Sequence, residues 1–102
     1  MIDVKNSKTL GRLARLVRRQ QGIEQQDFAA ICGFSRSPIK SFEKGEGSIS
    51  LTKVLKIFDE LGIEMTLTLP GDLSAAQKKR ITTRLQAELA AATSDKTNGV
   101  KR

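Results

Sequence analysis

The chain has no histidine, tryptophan or tyrosine, one cysteine and two prolines among 102 residues. With Cys32 alone, no disulfide can close within the chain, and a zinc site built from cysteine and histidine lacks its ligands. The same absences remove the commonest nucleophiles and proton carriers. No glycine-rich phosphate loop is present, and the two carboxylates of E-K-G-E-G, Glu43 and Glu46, fall in a loop with no evident pocket. Catalysis is therefore not expected, and no catalytic residue, metal or cofactor is assigned. No apolar run approaches the roughly 18 residues of a membrane helix, and the opening M-I-D-V-K-N-S-K has no signal-peptide core. A cytoplasmic protein with no membrane partner is expected. Cys32, between Ile31 and Gly33, reads as a buried small hydrophobe or as a reactive thiol, and its apolar neighbours favour the first.

Positive charge, by contrast, is plentiful. Eighteen Lys and Arg against eleven Asp and Glu leave a formal charge of +7. A surplus of that size fits either plain solubility or a polyanionic partner such as nucleic acid. The length allows one small core with appendages.

The apolar residues place that core on helices. Leu10, Leu13, Ala14, Leu16 and Val17 recur at three- and four-residue spacing from Thr9 to Gln20, with Arg12, Arg15, Arg18 and Arg19 between them, and Gly22 stops this first helix. Phe28, Ala29 and Ile31 mark a second, short helix after Glu24, Gln25 and Gln26, ended by Gly33 in the left-handed conformation. Ser35 is the expected N-cap of a third helix, with Pro38 in its first turn and Ile39 and Phe42 on its buried face. A polar loop from Lys44 to Ser48 follows. Ser50 then caps a fourth helix whose expected stripe is Leu51, Val54, Leu55, Phe58 and Leu61, stopped by Gly62.

Ile63 to Leu69 changes period: Ile63, Met65, Leu67 and Leu69 alternate with Glu64, Thr66 and Thr68, the pattern of a half-buried strand. A lone strand leaves backbone groups unpaired, so it pairs with a second copy or a partner protein, a symmetric homodimer being the simplest solution, or else it merely covers the core as an extended segment. Beyond Pro70 and Gly71, residues Ser74 to Ala92 predict an accessory helix with a thin apolar stripe, either packed on the dimer or ordered by a partner, and residues 93–102 read as a disordered tail.

The two short helices around Gly33 leave Ser35, Arg36, Ser37, Lys40 and Ser41 on the exposed start of the third. Gln25, Phe28, Ala29, Gly33, Ser35, Ile39, Phe42, Glu43 and Gly45 follow the pattern Q-x-x-L-A-x-x-x-G-x-S-x-x-x-I-x-x-x-E-x-G, and through them the first 62 residues resemble the helix-turn-helix domain of the Xre family and the lambdoid repressors. Phe28 departs from the usual Leu, and Glu24 stands where Ser or Thr often caps. The resemblance implies a mainly α fold with a four- to five-helix lambda-repressor-like domain over residues 1–62, and the periodicity beyond it divides the chain into a dimerisation strand and turn over 63–71 and an accessory helix over 72–92. The resemblance also implies that Gln25 binds a phosphate oxygen and braces the recognition helix, and that Arg18 and Glu43 form a structural ion pair.

A recognition helix enters the major groove by its N-terminal part, and Arg36 is the candidate for a bidentate contact to guanine O6 and N7. Lys44, Ser48, Ser50 and Lys53 are placed for backbone contacts. The strand after the fourth helix resembles that of HipB-type antitoxins, in which paired strands hold the dimer, with Ile63, Met65, Leu67 and Leu69 as its dimerisation residues here. That resemblance implies a homodimeric repressor of a palindromic operator in double-stranded DNA, acting as the antitoxin of a HipA-like kinase toxin. A stand-alone Xre-family regulator and a protein-bridging factor without a toxin are the alternatives.

Overall fold

The computed structural model describes the backbone of residues 1–98 and the side chains of residues 1–92. Among the described residues there are five helices, α1 (Ser7–Gln20), α2 (Gln25–Cys32), α3 (Arg36–Lys44), α4 (Leu51–Leu61) and α5 (Ala75–Asn98). The first four belong to one compact unit, Met1–Met65, and a second unit begins at Thr66. The mainly α architecture is the expected one.

Local chemistry sets each boundary. α1 starts two residues before the expected Thr9 because the Asn6 side chain accepts a hydrogen bond from the Thr9 amide at 3.1 Å. At the end of α2, Gly33 has φ +77°, its N–H donates to the Ala30 carbonyl and that of Phe34 to the Ala29 carbonyl. This pair of bonds is the Schellman arrangement, and a side chain at Gly33 would be strained in it. Ser35 holds the N-cap position of α3, yet its hydroxyl makes no capping bond. Pro38 supplies the reason: it is the third helical residue and has no N–H, so one of the two amides within reach of a capping oxygen is missing. Ser50, with no such obstacle, caps α4 by accepting from the Lys53 amide at 3.2 Å.

The core consists of Ala14, Phe28, Ala29, Cys32, Ile39, Phe42, Val54, Ile57, Phe58 and Leu61, flanked by half-buried Leu10, Val17, Ile23, Phe34, Ile49 and Ile63. Burial of a side chain such as Phe28 or Ile39 contributes about 1.5–3 kcal/mol. Cys32 is a member, and burial pushes its thiol pKa up, with Glu60 adding to the effect and Lys56 opposing it. Gly11 lies where α1 crosses α3, and a Cβ there would overlap the Phe42 carbonyl oxygen. The absence of a side chain at Gly11 is what lets the two helices approach.

Three expectations about the core need correction. On α4 the buried arc is Val54, Ile57, Phe58 and Leu61, while Leu51 and Leu55 are 64% and 47% exposed. Both sets keep helical spacing, and packing against α1 and α2 selects the one that includes Ile57. Leu16 and Ile31 are likewise exposed, the latter because Cys32 takes the inward position at the end of α2.

The strand expected over Ile63–Leu69 is not formed in the single chain. Ile63 still packs on the core and donates to the Phe58 carbonyl, but residues 64–69 make no backbone hydrogen bond among the described residues, and Leu67 is 90% exposed. A strand requires a ladder, and the described residues offer no second segment to build one.

In the second unit, Ser74 and Gln77 form a capping box: the Gln77 amide donates to Ser74 Oγ at 3.1 Å and the Ser74 amide to Gln77 Oε1 at 2.8 Å. α5 follows and has no buried residue through position 92. Its backbone continues to Asn98, six residues past the expected end at Ala92. Of the expected disordered tail, residues 99–102 lie outside the described residues.

Candidate nucleic-acid interface

A run of hydrogen bonds links three helices behind the start of α3. Arg18 on α1 is buried and donates from Nε and Nη2 to the two oxygens of buried Glu43, at 2.7 and 2.8 Å, while its Nη1 donates to the Ile23 carbonyl at 2.6 Å. The carboxylate raises the guanidinium pKa chiefly by hydrogen bonding, against the desolvation that would lower it, so Arg18 is a permanent cation held in a fork. The ion pair implied by the resemblance is therefore present. Glu43 Oε1 also accepts from Gln25 Nε2 at 3.0 Å, and Gln25 Oε1 accepts from Arg36 Nε at 3.0 Å.

This last bond fixes the orientation of the Gln25 amide and hence of Arg36. With its nitrogen on the Glu43 carboxylate, Gln25 presents its oxygen to the start of α3, and a guanidinium is what that oxygen can hold. Arg36 is thus anchored through Nε, and its two terminal nitrogens, the pair used in a bidentate contact to guanine, make no hydrogen bond within the described chain. Gln25 thereby links Glu43, near the end of α3, to Arg36 at its start. Gln25 is half-buried and both ends of its amide are engaged within the protein.

Ser35, Arg36, Ser37 and Lys40 are exposed, as are Lys44, Ser48, Ser50 and Lys53, whereas Ser41 is half-buried. The Lys53 ammonium sits 5.6 Å from the centre of the Phe34 ring, a cation–π contact that keeps it beside the turn between α2 and α3. Ser50 spends its oxygen on the α4 cap, which leaves its hydroxyl hydrogen for an outside acceptor. The candidates do not all converge. Arg36, Lys40, Lys44 and Gln25 line a groove of about 520 Å³ along α3, and Ser35, Ser37, Ser41, Ser48, Ser50 and Lys53 do not.

The opposite wall of that groove was not anticipated: it is Arg12, Arg15 and Arg19 of α1. Their spacing of three and four residues puts them on one helix face, which was the signal in the sequence, but their proximity to α3 follows only from the crossing at Gly11. Seven cationic and two acidic side chains line the groove, an excess of five positive charges. Elsewhere in the chain eleven cationic side chains are offset by nine acidic ones, so most of the net +7 is gathered here. A concave, low-dielectric wall focuses such a field on an approaching anion. Among the described residues, no group of three or more His, Cys, Asp or Glu side chains is placed to hold a metal ion, and no helix is long and apolar enough to cross a membrane.

Known proteins resemble this chain in sequence and in fold. An uncharacterized HTH-type transcriptional regulator of Sinorhizobium fredii, y4mF, is 29% identical over 69 residues, 68% of this chain and 91% of that protein. Antitoxin HipB of Escherichia coli O6:H1 is 36% identical over 58 residues, which are 57% of this chain and 62% of the antitoxin. A chain in the solved structure of a HipA–HipB–O2–O3 complex superposes with a TM-score of 0.62 at 29% identity, covering 68% of this chain and 97% of its own length. The helix-turn-helix family HTH_3 matches residues 12–67, more than half of the chain. The chain belongs to this family, as a helix-turn-helix DNA-binding regulator similar to the HipB antitoxins.

Proposed function

We propose that this chain is a sequence-specific transcriptional repressor that binds a palindromic operator as a homodimer and serves as the antitoxin of a HipA-like kinase. The observation that carries the DNA-reading part is the anchored Arg36, exposed at the first position of α3 and aligned through Gln25 by the buried Glu43. Holding a long side chain before it meets its base reduces the ordering cost of recognition. Lys40, one turn further on, extends the reading surface, with Ser35 and Ser37 beside it at the entry of the helix. Lys44, Ser48, Ser50 and Lys53 contact the sugar-phosphate backbone and set the register.

The dimer rests on residues 64–69. Their backbone donors and acceptors are unpaired within the described chain, and Met65 and Leu67 are exposed, as a segment awaiting an identical strand would be. The toxin partner rests on the similarity to HipB, including the chain found in the HipA–HipB–O2–O3 complex. A second reading, a regulator with no toxin, is supported by the similarity to y4mF over nearly all of that protein's length. Gel shifts at physiological salt test the first part: the promoter fragment of the chain's own gene should be retained at concentrations that leave random duplex unbound, and equal retention would refute the repressor assignment. Purification from the native host separates the two readings, since a co-purifying kinase-like protein supports the antitoxin and its absence supports the stand-alone regulator.

A further inference from the structure

We propose that the groove between α1 and α3 seats the sugar-phosphate backbone of duplex DNA, with Arg12, Arg15 and Arg19 binding phosphate oxygens of the strand whose bases Arg36 and Lys40 read. This inference rests on the reading that α3 enters a DNA groove, and it assigns a role to α1 that neither the helix-turn-helix pattern nor the family match supplies.

The two walls are matched in length and charge. Arg12 and Arg19 are seven residues apart on α1, a rise of about 10 Å, while Arg36, Lys40 and Lys44 span eight residues of α3, about 12 Å. The cations are also available. The side chains of Arg15 and Arg19 make no hydrogen bond or ion pair within the described chain, and that of Arg12 has only a marginal one, 3.5 Å from Nη2 to the Lys44 carbonyl. Of the two acidic side chains in the groove, Glu43 is 2% exposed and committed to Arg18 and Gln25, which leaves Glu46 alone against the seven cations. A structural role for these arginines would give them partners in the protein. Instead three like charges share one face and wait for an anion with a repeating charge.

Phosphate contacts raise affinity for every sequence and show in the salt dependence, whereas base contacts show in the preference. The 102-residue chain and its variant R12Q/R15Q/R19Q are titrated between 50 and 200 mM salt against two duplexes, one selected from a random library and one of scrambled sequence. The wild type should lose roughly 40-fold more affinity than the variant over that range, a slope difference of about 2.7, and the selected-to-scrambled ratio should be the same for both proteins. R19Q alone, at an exposed residue without partners, should reduce the slope by about 0.9 and decides the matter if the triple variant does not fold. K78Q/K79Q/R80Q, which removes the same charge from α5, should leave the slope in place. An unchanged slope in the groove variants, or an equal fall in the α5 variant, overturns the proposal. So does displacement of the scrambled duplex by polyglutamate at lower concentration than by unlabelled duplex, which would make the groove a seat for an acidic protein. Lack of any preference by the wild type would refute the operator-reading function instead, leaving the slope test on scrambled duplex intact.

Discussion

Substituting Glu43 by alanine strands the Arg18 guanidinium in the interior. Arg18 is 6% exposed, and of its three hydrogen bonds the two to the carboxylate disappear, leaving only the bond to the Ile23 carbonyl. Breaking a buried pair in this way costs about 3–5 kcal/mol, because the remaining charge is neither solvated nor compensated. Against a total stability of about 5–15 kcal/mol for a domain, that is a large fraction. At about 4–8 °C per kcal/mol for a domain of this size, Tm should fall by at least about 12 °C. Removing both charges is a different perturbation. R18M/E43L replaces the pair by apolar side chains of similar length, and such exchanges are often neutral or stabilising, so the double variant should lie within about 1.5 kcal/mol of the wild type. Urea unfolding of the wild type, both single variants and the double variant, at constant m, gives the coupling directly. The reasoning fails if E43A is within about 1 kcal/mol of the wild type, or if the double variant loses the sum of the single losses. Should E43A not fold at all, recovery of folding in the double variant carries the test.

The remaining expectations concern binding and packing. Arg36→Ala should cost about 1–3 kcal/mol on the operator and relax preference at one base pair, while Lys44→Ala should weaken all sequences alike and reduce the salt slope by about one; titrations on a set of single-base operator variants separate the two. Leu67→Pro removes a ladder donor from the segment assigned to the dimer, so sedimentation should show monomer and binding to a two-fold site should lose cooperativity; a dimer of unchanged affinity would take residues 64–69 out of the interface. Gly11→Ala should destabilise by about 1–3 kcal/mol in thermal melts although alanine gains about 1 kcal/mol in helix propensity, since the new Cβ overlaps the Phe42 carbonyl.

Helix number and the turn at Gly33 were legible because both depend on local signals, apolar spacing and a residue tolerant of positive φ. The same locality explains the misreadings. Leu51, Leu55 and Ile57 all satisfy helical spacing on α4, and only the direction from which α1 and α2 arrive decides which are covered. Ser35 carries the right residue type for a cap, but the lost bond depends on Pro38 three positions later, a pairing of two individually reasonable signals that conflict. In the candidate interface, Arg36 and Lys40 could be assigned from their place at the start of a recognition helix. Arg12, Arg15 and Arg19 could not, since periodicity puts them on one face of α1 and says nothing of what stands opposite. That information resides in the contact between Gly11 and Phe42, residues 31 positions apart in the chain.

The concentration of charge beside α3 bears on how the protein would achieve preference. Cations on phosphates strengthen binding to operator and bulk DNA together, so the proposed phosphate seat, with five excess charges, would raise occupancy everywhere without improving discrimination. Discrimination must come from the few side chains that meet base edges, and one copy presents Arg36 and Lys40 with small serines around them. A good bidentate pair separates right from wrong base by about 1–3 kcal/mol, far below the roughly 4–10 kcal/mol that typically separates specific from non-specific binding. Doubling the reader on a two-fold site brings the sum into that range without any new contact type. The proposed doubling segment is also well placed to preserve geometry, because it emerges from Ile63, which packs on the core and donates to the Phe58 carbonyl at the end of α4. Two copies joined there would hold their α3 helices through folded structure and not through a free linker, and half-sites should then be tolerated at one spacing, near one helical turn of about 34 Å or a multiple of it. Inserting a single base pair between the half-sites should abolish cooperative binding while leaving half-site affinity and salt slope unchanged.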